Sequence, residues 1–117
     1  MQEGKTEFLF IPSRVLRGED TRTTLMIKNI PNRVTKDELA EMISKTHAGA
    51  FDFIHMPLDR RSGSNVGYAF INFASHHSLL SFWQTWNSRA WAGHANSAKR
   101  CELSYAQKQF VHGNRRL

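Results

Sequence analysis

Residues 66–73 read Val-Gly-Tyr-Ala-Phe-Ile-Asn-Phe, and this stretch decides the fold. With the period of two of a β-strand, one face carries Ala69, Ile71 and Phe73. The other face carries two aromatic rings, Tyr68 and Phe70, flanked by Val66 and Asn72. Aromatic side chains on both faces are unusual, because a solvated face normally carries polar residues. Two rings on an uncovered sheet form a platform on which unpaired bases stack. Burial of both faces, as in a parallel sheet or a sandwich, is the alternative that periodicity leaves open.

The length and composition fit one soluble globular domain. The chain has 117 residues, of which 40% are hydrophobic and 22% charged, enough for a core without disulfides or metals. It contains no apolar run of membrane-spanning length and no secretory pattern at its start. The lone Cys101 excludes an internal disulfide and a cysteine-based zinc site, and it fits a reducing compartment. We therefore expect an intracellular protein, in the nucleus, the cytoplasm or both, that does not bind membranes.

The net charge of +6 is unevenly distributed along the chain. Residues 1–59 carry eight Lys and Arg against nine Asp and Glu, a net charge of −1. Residues 60–117 carry eight basic residues against the single acidic Glu102, a net charge of +7. A basic half beside a nearly neutral half suggests a polyanionic partner.

Hydrophobic periodicity predicts three further strands, over residues 23–28, 51–58 and 100–106. In the last, Cys101, Leu103 and Tyr105 share one face. In the second, Ile54 and Met56 alternate with Phe53 and His55, and the pattern does not decide which pair faces the core. The polar, basic residues 60–65 connect this strand to residues 66–73, and a hairpin is the economical topology.

Two helices are predicted between the strands. Thr35 and Glu38 form a capping box, followed by an apolar stripe of Leu39, Met42 and Ile43. Ser75 begins the second helix, whose apolar stripe is Leu79, Phe82, Trp83 and Trp86. The order strand–helix–strand–strand–helix–strand predicts an α+β, ferredoxin-like fold, with a four-stranded antiparallel sheet and both helices on one face. The opposite face, with Tyr68 and Phe70, would then be open.

The two ends of the chain are expected to differ from the domain, which we place at residues 23–108. Residues 1–22 form an N-terminal extension with an apolar cluster, a short helical turn from Pro12 to Leu16 and a closing Gly18. We expect this extension to pack on the domain, with a partner-binding or disordered arm as the alternative. Residues 109–117 form a basic C-terminal tail that we expect to be partly disordered.

The stretch 66–73 resembles the octapeptide of RNA recognition motifs in seven of eight positions. Val66 departs from the pattern, which has Lys or Arg there. Residues 25–30 resemble the accompanying hexapeptide of the first strand, although Met26 stands where an aromatic residue is usual. The resemblance covers residues 23–108 and implies the ferredoxin-like βαββαβ fold.

A narrower resemblance involves residues 18–32, 65–73 and 101–106. They resemble the C-terminal RNA recognition motif of the meiosis-regulator family that includes the plant terminal-ear-like proteins. In that family Met26 and Val66 occupy positions where Met and Val are usual. The resemblance implies an RNA-binding module of a larger post-transcriptional regulator of meiosis or development, and it implies that residues 8–22 belong with the domain.

Single-stranded RNA is therefore the expected ligand. Tyr68 and Phe70 would each stack one base, and Met26 would add an apolar contact. Phe53 or His55 would compensate for the missing third ring, unless Phe53 belongs to the core. Basic side chains would pair with phosphates and the last strand would read base edges, whereas Asn29 fits a turn better than a base contact. The expected RNA-binding residues are Met26, Lys28, Phe53, His55, Arg60, Arg61, Tyr68, Phe70, Glu102, Ser104 and Lys108.

No residue pattern points to catalysis. The chain has six histidines, but His76 and His77 are adjacent at a helix start, where they point about 100° apart. No phosphate-binding glycine loop or nucleophile–base pattern is present. We expect neither an enzyme nor a bound cofactor or metal.

A protein-interaction module is the main alternative. Arg89-Ala90-Trp91 resembles the Arg-x-Phe element with which some related domains bind a partner's tryptophan, and Asp37, Glu38 and Glu41 would supply their acidic helix. Deep burial of Trp91 would argue against such a pocket. We expect a monomer, with a dimer through the tryptophan-rich helix as a lesser option.

Overall fold

The computed structural model describes residues 6–93 and 98–110. Its strands are β1 (Thr24–Lys28), β2 (Phe51–His55), β3 (Tyr68–Phe73) and β4 (Glu102–Tyr105). Its helices are α1 (Pro12–Leu16), α2 (Lys36–His47) and α3 (His76–Trp86). The strands form one sheet in the order β2-β3-β1-β4, with every neighbouring pair antiparallel. The predicted ferredoxin-like α+β fold is confirmed.

Polar side chains set the starts of both long helices. Thr35 caps α2: its hydroxyl accepts from the Glu38 amide at 3.1 Å, while the Glu38 carboxylate accepts from the Thr35 amide at 2.9 Å. The predicted capping box is therefore present. Ser75 caps α3 by accepting from the Ser78 amide at 3.1 Å. Among the described residues, no helix is long and apolar enough to cross a bilayer.

The two long helices cover one face of the sheet. The core-facing strand side chains include Leu25, Ile27, Ala69, Ile71, Phe73 and Leu103, all buried. The helices contribute Leu39, Ile43, Leu79, Phe82 and Trp86 to the same core. The side of β3 predicted to face the core is thus confirmed. The alternative of a parallel sheet is wrong, because every described strand pair is antiparallel.

An irregularity in β2 decides which of its residues face outward. Phe51 pairs with Phe73, and Phe53 pairs with Asn72, the residue before Phe73, so Asp52 is one extra residue in the ladder. Phe51 therefore packs against the core, whereas Phe53 points to the opposite side. Ile54 and Met56 are buried, which puts His55 on the outward side with Phe53.

The N-terminal residues lie along the free edge of β4 and against α3. The Phe10 ring stacks on Trp83, with centroids 5.1 Å apart, and contacts Tyr105 at 5.2 Å. The carbonyl of Phe8 accepts a hydrogen bond from the Tyr105 amide at 2.8 Å. These contacts fix residues 8–10 at the edge of the sheet and on its helical layer.

A salt bridge holds the segment between α1 and β1. The Arg22 guanidinium lies 4.0 Å from the centre of the Tyr105 ring and 2.8 Å from the Asp20 carboxylate. The hydrogen bond from Arg22 lowers the pKa of Asp20 below its usual value. Arg22 thereby connects the N-terminal segment to the edge strand.

Trp91 belongs to the core. Only 2% of its surface is exposed, and its ring centre lies 6.1 Å from that of Trp86. Arg89, two residues earlier, places its guanidinium 4.8 Å from the Trp86 ring. This burial argues against a partner pocket built on Trp91. Residues 94–97, shortly after Trp91, lie outside the described residues.

Candidate nucleic-acid interface

Strand pairing arranges the outward side chains in three rows across the sheet. The middle row consists of His55, Phe70, Met26 and Ser104. The loop-side row, next to the β2–β3 loop, consists of Tyr68, Lys28 and Glu102. The tail-side row consists of Phe53, Asn72 and Thr24. Eight of the eleven side chains predicted to bind RNA therefore share one face of the sheet.

The aromatic side chains at the centre of this face are partly accessible. Tyr68 and Phe70 are half-buried, with ring centres 5.7 Å apart and planes inclined by 74°. His55 is exposed and lies nearly parallel to Phe70, at 9° and 6.3 Å. Met26 is half-buried beside Phe70. The face thus offers ring surfaces in two orientations for stacking.

Residues 107–110, which we call the tail segment, turn back over the tail-side row. The side-chain oxygen of Gln109 accepts from the amides of Thr23 and Thr24 at 3.0 and 2.8 Å. Its side-chain nitrogen donates to the carbonyls of Thr24 and Ala106 at 3.0 and 2.8 Å. One side chain thus satisfies three backbone groups at the start of β1 and one just after β4.

Phe110 completes this cover. Its amide donates to the Thr24 hydroxyl at 2.7 Å. Its ring stacks on Phe53, with centres 4.8 Å apart and planes at 7°. The residues after Phe110, including Arg115 and Arg116 of the predicted basic tail, lie outside the described residues.

Asn72 differs from the simple outward pattern. It lies on the outward side of β3, yet only 1% of its surface is exposed. Its side-chain oxygen accepts from the hydroxyls of Thr23 and Thr24, both at 2.8 Å, and its nitrogen donates to the Asp52 carboxylate at 3.0 Å. Asn72 is therefore a structural residue beneath the tail segment.

On β4 the two predicted base-reading residues differ in accessibility. Glu102 is exposed, whereas Ser104 is only 9% exposed and leaves little of its side chain for a base edge. Asn29 donates to the Arg100 carbonyl at 3.0 Å and lies 3.4 Å from the Glu102 carboxylate. Its φ of +65° is the left-handed conformation of a turn residue, as predicted.

The β2–β3 loop holds Arg60 and Arg61 in an ordered turn. The Asp59 carboxylate accepts from the amides of Ser62 and Arg61, at 2.9 and 3.1 Å, and from the Ser62 hydroxyl at 3.1 Å. These bonds, the Ser62 amide foremost, lower the pKa of Asp59. Both arginines are exposed, and neither takes part in an ion pair among the described residues.

Asn65 fastens this loop to the β1–α2 connection. Its side-chain nitrogen donates to the carbonyls of Pro31 and Val34 at 2.9 and 2.8 Å. Its oxygen accepts from the Gly67 amide at 2.7 Å. Gly67 has a φ of +103°, which favours glycine, so β3 begins at Tyr68, two residues later than predicted.

Two cavities flank Phe70 on the outward face. The tail-side cavity, about 310 Å³, is lined by Thr24, Phe53, His55, Phe70, Lys108, Gln109 and Phe110. The loop-side cavity, about 870 Å³, is lined by Met26, Tyr68, Phe70, Gln107, Lys108 and Gln109. Phe70, Lys108 and Gln109 line both, so the tail segment divides the face.

The sequence interpretation missed the tail segment and the buried polar groups beneath it. Phe110, an aromatic residue in a polar tail, was the one available signal. Gln109 carried no sequence signal of its role, because its hydrogen-bond partners are backbone groups, which every residue has.

Two observations concern metal binding and the reactivity of Cys101. Within residues 6–93 and 98–110, no three His, Cys, Asp or Glu side chains are grouped as a metal site. Cys101 is buried, and burial raises the pKa of its thiol to about 12. Such a thiol is a poor nucleophile at neutral pH.

Comparison with known proteins agrees with this geometry. The family model described as RNA recognition motif 2 matches residues 22–117. Protein MEI2-like 4 of Oryza sativa subsp. japonica is 43% identical over 107 residues, which are 92% of this chain and 11% of that protein. Protein MEI2-like 3 of Arabidopsis thaliana is 42% identical over 105 residues, 90% of this chain and 14% of that protein. The chain thus spans only a small part of these relatives.

Solved structures show the same fold. The Rna15 RRM with bound RNA (GU) superposes with a TM-score of 0.62 at 21% identity, covering 77% of this chain and 88% of that chain. The Sxl-lethal protein/RNA complex gives 0.61 at 23% identity, covering 77% and 50%. At such identities the likeness concerns the fold alone. The chain belongs to the RNA recognition motif 2 family, and it is of the type found as the C-terminal RNA recognition motif of MEI2-like proteins.

Proposed function

We propose that this domain binds single-stranded RNA on the open face of its sheet, as one module of a larger post-transcriptional regulator. The observation that carries the proposal is the pair of half-buried rings, Tyr68 and Phe70, on the face opposite the helices. Membership of the family supports RNA as the ligand class. The MEI2-like relatives support a role in meiosis or development, and we place the protein in the nucleus or the cytoplasm.

Stacking supplies most of the affinity in this mechanism. Tyr68 and Phe70 each hold one base, and each ring contributes about 1–3 kcal/mol. Met26, half-buried beside Phe70, offers a polarizable apolar contact in place of a third ring. The middle row therefore binds bases more weakly than a row with an aromatic residue at this position.

Charged groups around the rings position the backbone. Lys28 lies opposite Tyr68 in the loop-side row, and Arg60 and Arg61 extend the positive charge into the ordered loop. Lysine and arginine side chains bind phosphates without regard to sequence, so they determine the path of the strand. Glu102 is exposed in the same row, where its carboxylate is able to accept hydrogen bonds from exocyclic amines of bases.

The peptide-binding alternative has less support. Trp91 and the acidic helix α2 would form its site, but the Trp91 ring is buried against Trp86. RNA recognition motifs are generally binding modules without catalytic activity, and we propose that this domain acts as a monomer without cofactor or metal.

The test is the double substitution Tyr68→Ala with Phe70→Ala, measured by fluorescence anisotropy with labelled single-stranded RNAs of different composition. Loss of two stacked bases, about 2–6 kcal/mol, should weaken binding by at least about 30-fold. Both side chains are half-buried and outside the core, so circular dichroism should show the fold intact.

The matched control removes two exposed apolar side chains of the N-terminal segment, outside the three rows, through Leu9→Ala with Leu16→Ala. This control should bind RNA with unchanged affinity. Equal affinities of the platform variant and the wild type would refute the stacking mechanism.

A further inference from the structure

The tail segment builds a second aromatic site beside the platform. It places Phe110 flat against Phe53 and encloses a cavity that also reaches His55 and Phe70. We infer that this tail-side cavity binds one unpaired nucleobase, next to the two bases held on Tyr68 and Phe70. The inference rests on the proposed function and adds a specific subsite to it.

Two stacked pairs of rings line the cavity, and a flat base is able to pack against the surfaces that they leave accessible. The Phe53 and Phe110 rings are parallel to within 7°, and those of His55 and Phe70 to within 9°. The volume of about 310 Å³ is at the lower end of small-ligand pockets. Every base has a π-face, so an aromatic wall accepts bases with little regard to sequence.

The Phe110 wall is already fixed in place. Gln109 anchors the segment through four hydrogen bonds to backbone groups, and the Phe110 amide binds the Thr24 hydroxyl. A base that enters the cavity therefore need not order this segment first, which lowers the entropic cost of binding. For the same reason, the tail acts as a wall of the site rather than as its competitor.

Lys108 connects the two cavities. It is exposed and lines both, as does the ring of Phe70. Two consecutive nucleotides, one base in each cavity, would carry their linking phosphate over the tail segment near Lys108. A lysine at this point is placed to pair with that phosphate.

The test uses Phe110→Ala and Phe110→Leu, with RNAs of two to eight nucleotides. Loss of one stacked base, about 1–3 kcal/mol, should weaken binding about 5- to 150-fold in both variants. For each protein, affinity should rise with RNA length up to a maximum. In the variants this maximum should be reached with an RNA one nucleotide shorter than in the wild type. Leucine keeps an apolar side chain over Phe53, so this variant keeps the tail in place while it removes the flat ring.

Two further measurements use the folded wild type and a charge variant. A 2-aminopurine base placed at successive positions should be quenched at three adjacent positions in the wild type, two on the Tyr68 and Phe70 rings and one in the tail-side cavity. In Phe110→Leu it should be quenched at only two. Lys108→Gln should lower the slope of log affinity against log salt by about 0.7, whereas Lys45→Gln, an exposed lysine on α2, should leave it unchanged.

The outcomes separate the subsite from the platform. Wild-type affinity in Phe110→Leu, together with weak binding in the platform variant, would overturn the second site and leave the proposed function standing. Tighter binding by Phe110→Ala would also overturn it, because the tail would then be a competitor. A wild-type domain that binds no RNA would instead remove the proposed function itself.

Discussion

The loop-side and tail-side rows lie on the same face of the sheet but differ in accessibility. In the loop-side row, Tyr68 and its neighbour Lys28 are half-buried, and Glu102 is exposed. In the tail-side row, Asn72 is 1% exposed, although it follows Tyr68 by four residues on the same side of β3. The difference arises from Gln109 and Phe110, which cover only one end of the face. Strand periodicity thus predicts on which side of the sheet a residue lies. Whether a ligand can contact that residue is determined by a segment distant in sequence.

The largest effect on the difference in accessibility between the two rows is expected from Gln109→Ala, which releases the tail segment. Four hydrogen bonds are lost, each with a net contribution of about 0.5–1.5 kcal/mol, so the domain should lose about 2–6 kcal/mol of unfolding free energy. Urea denaturation measures this loss. The tail-side row should also become accessible to solvent, as hydrogen exchange at Thr24 would report.

Gln107→Ala is the matched control, since Gln107 is an exposed glutamine in the same segment. A surface substitution of this kind should change the stability by no more than about 0.5 kcal/mol. Equal stability of the two variants would mean that the Gln109 hydrogen bonds do not hold the tail in place.

A smaller effect is expected from Asn72→Asp. The substitution keeps an acceptor for Thr23 and Thr24 but places a carboxylate about 3 Å from that of Asp52, where the amide nitrogen now donates. At neutral pH the domain should lose about 1–3 kcal/mol, because a buried hydrogen bond becomes a repulsive contact. Acidification, which neutralises carboxylates, should restore part of the stability.

The control for this substitution is Asn32→Asp in the exposed β1–α2 loop. Thermal unfolding between pH 4 and pH 7 compares the two variants. A loss at position 72 that does not depend on pH would exclude repulsion from Asp52 as its cause.

The smallest expected effect concerns the β2–β3 loop, beside the loop-side row. Replacing Arg60 and Arg61 by Gln should leave stability unchanged, since both are exposed and outside any ion pair in the described part of the chain. If each contacts one phosphate, the slope of log affinity against log salt should fall by about 1.4. The same change at Lys36 and Lys45 on α2 should leave the slope as it is. Identical slopes for both pairs would remove the loop from the interface.

The parts of the fold predicted from sequence are those with local causes. The capping box at Thr35 depends on residues three apart, and the inward side of β3 depends on simple alternation. The hairpin follows from a short polar connection between two apolar stretches, and β2 and β3 do pair antiparallel. Such features repeat a known geometry within a few residues.

The site was only partly predictable. Both faces of β2 carry apolar residues, so alternation gave no preference between Phe53 and Ile54 as the core residue. The four partners of Gln109 are backbone amides and carbonyls, which every residue has. The amino-acid types therefore did not predict that one glutamine of a polar tail would anchor the segment that covers the tail-side row.

The extra residue of β2 has a consequence for how this strand tolerates length changes. Because Asp52 is the extra residue at the register shift between Phe51 and Phe53, its deletion would give a regular strand in which every remaining side chain keeps its present direction. A deletion at Ile54 would instead send one group of side chains to the wrong layer. Asp52 is thus the residue of β2 that can be removed without reversing the direction of the other side chains. Its carboxylate accepts the hydrogen bond from the Asn72 side chain.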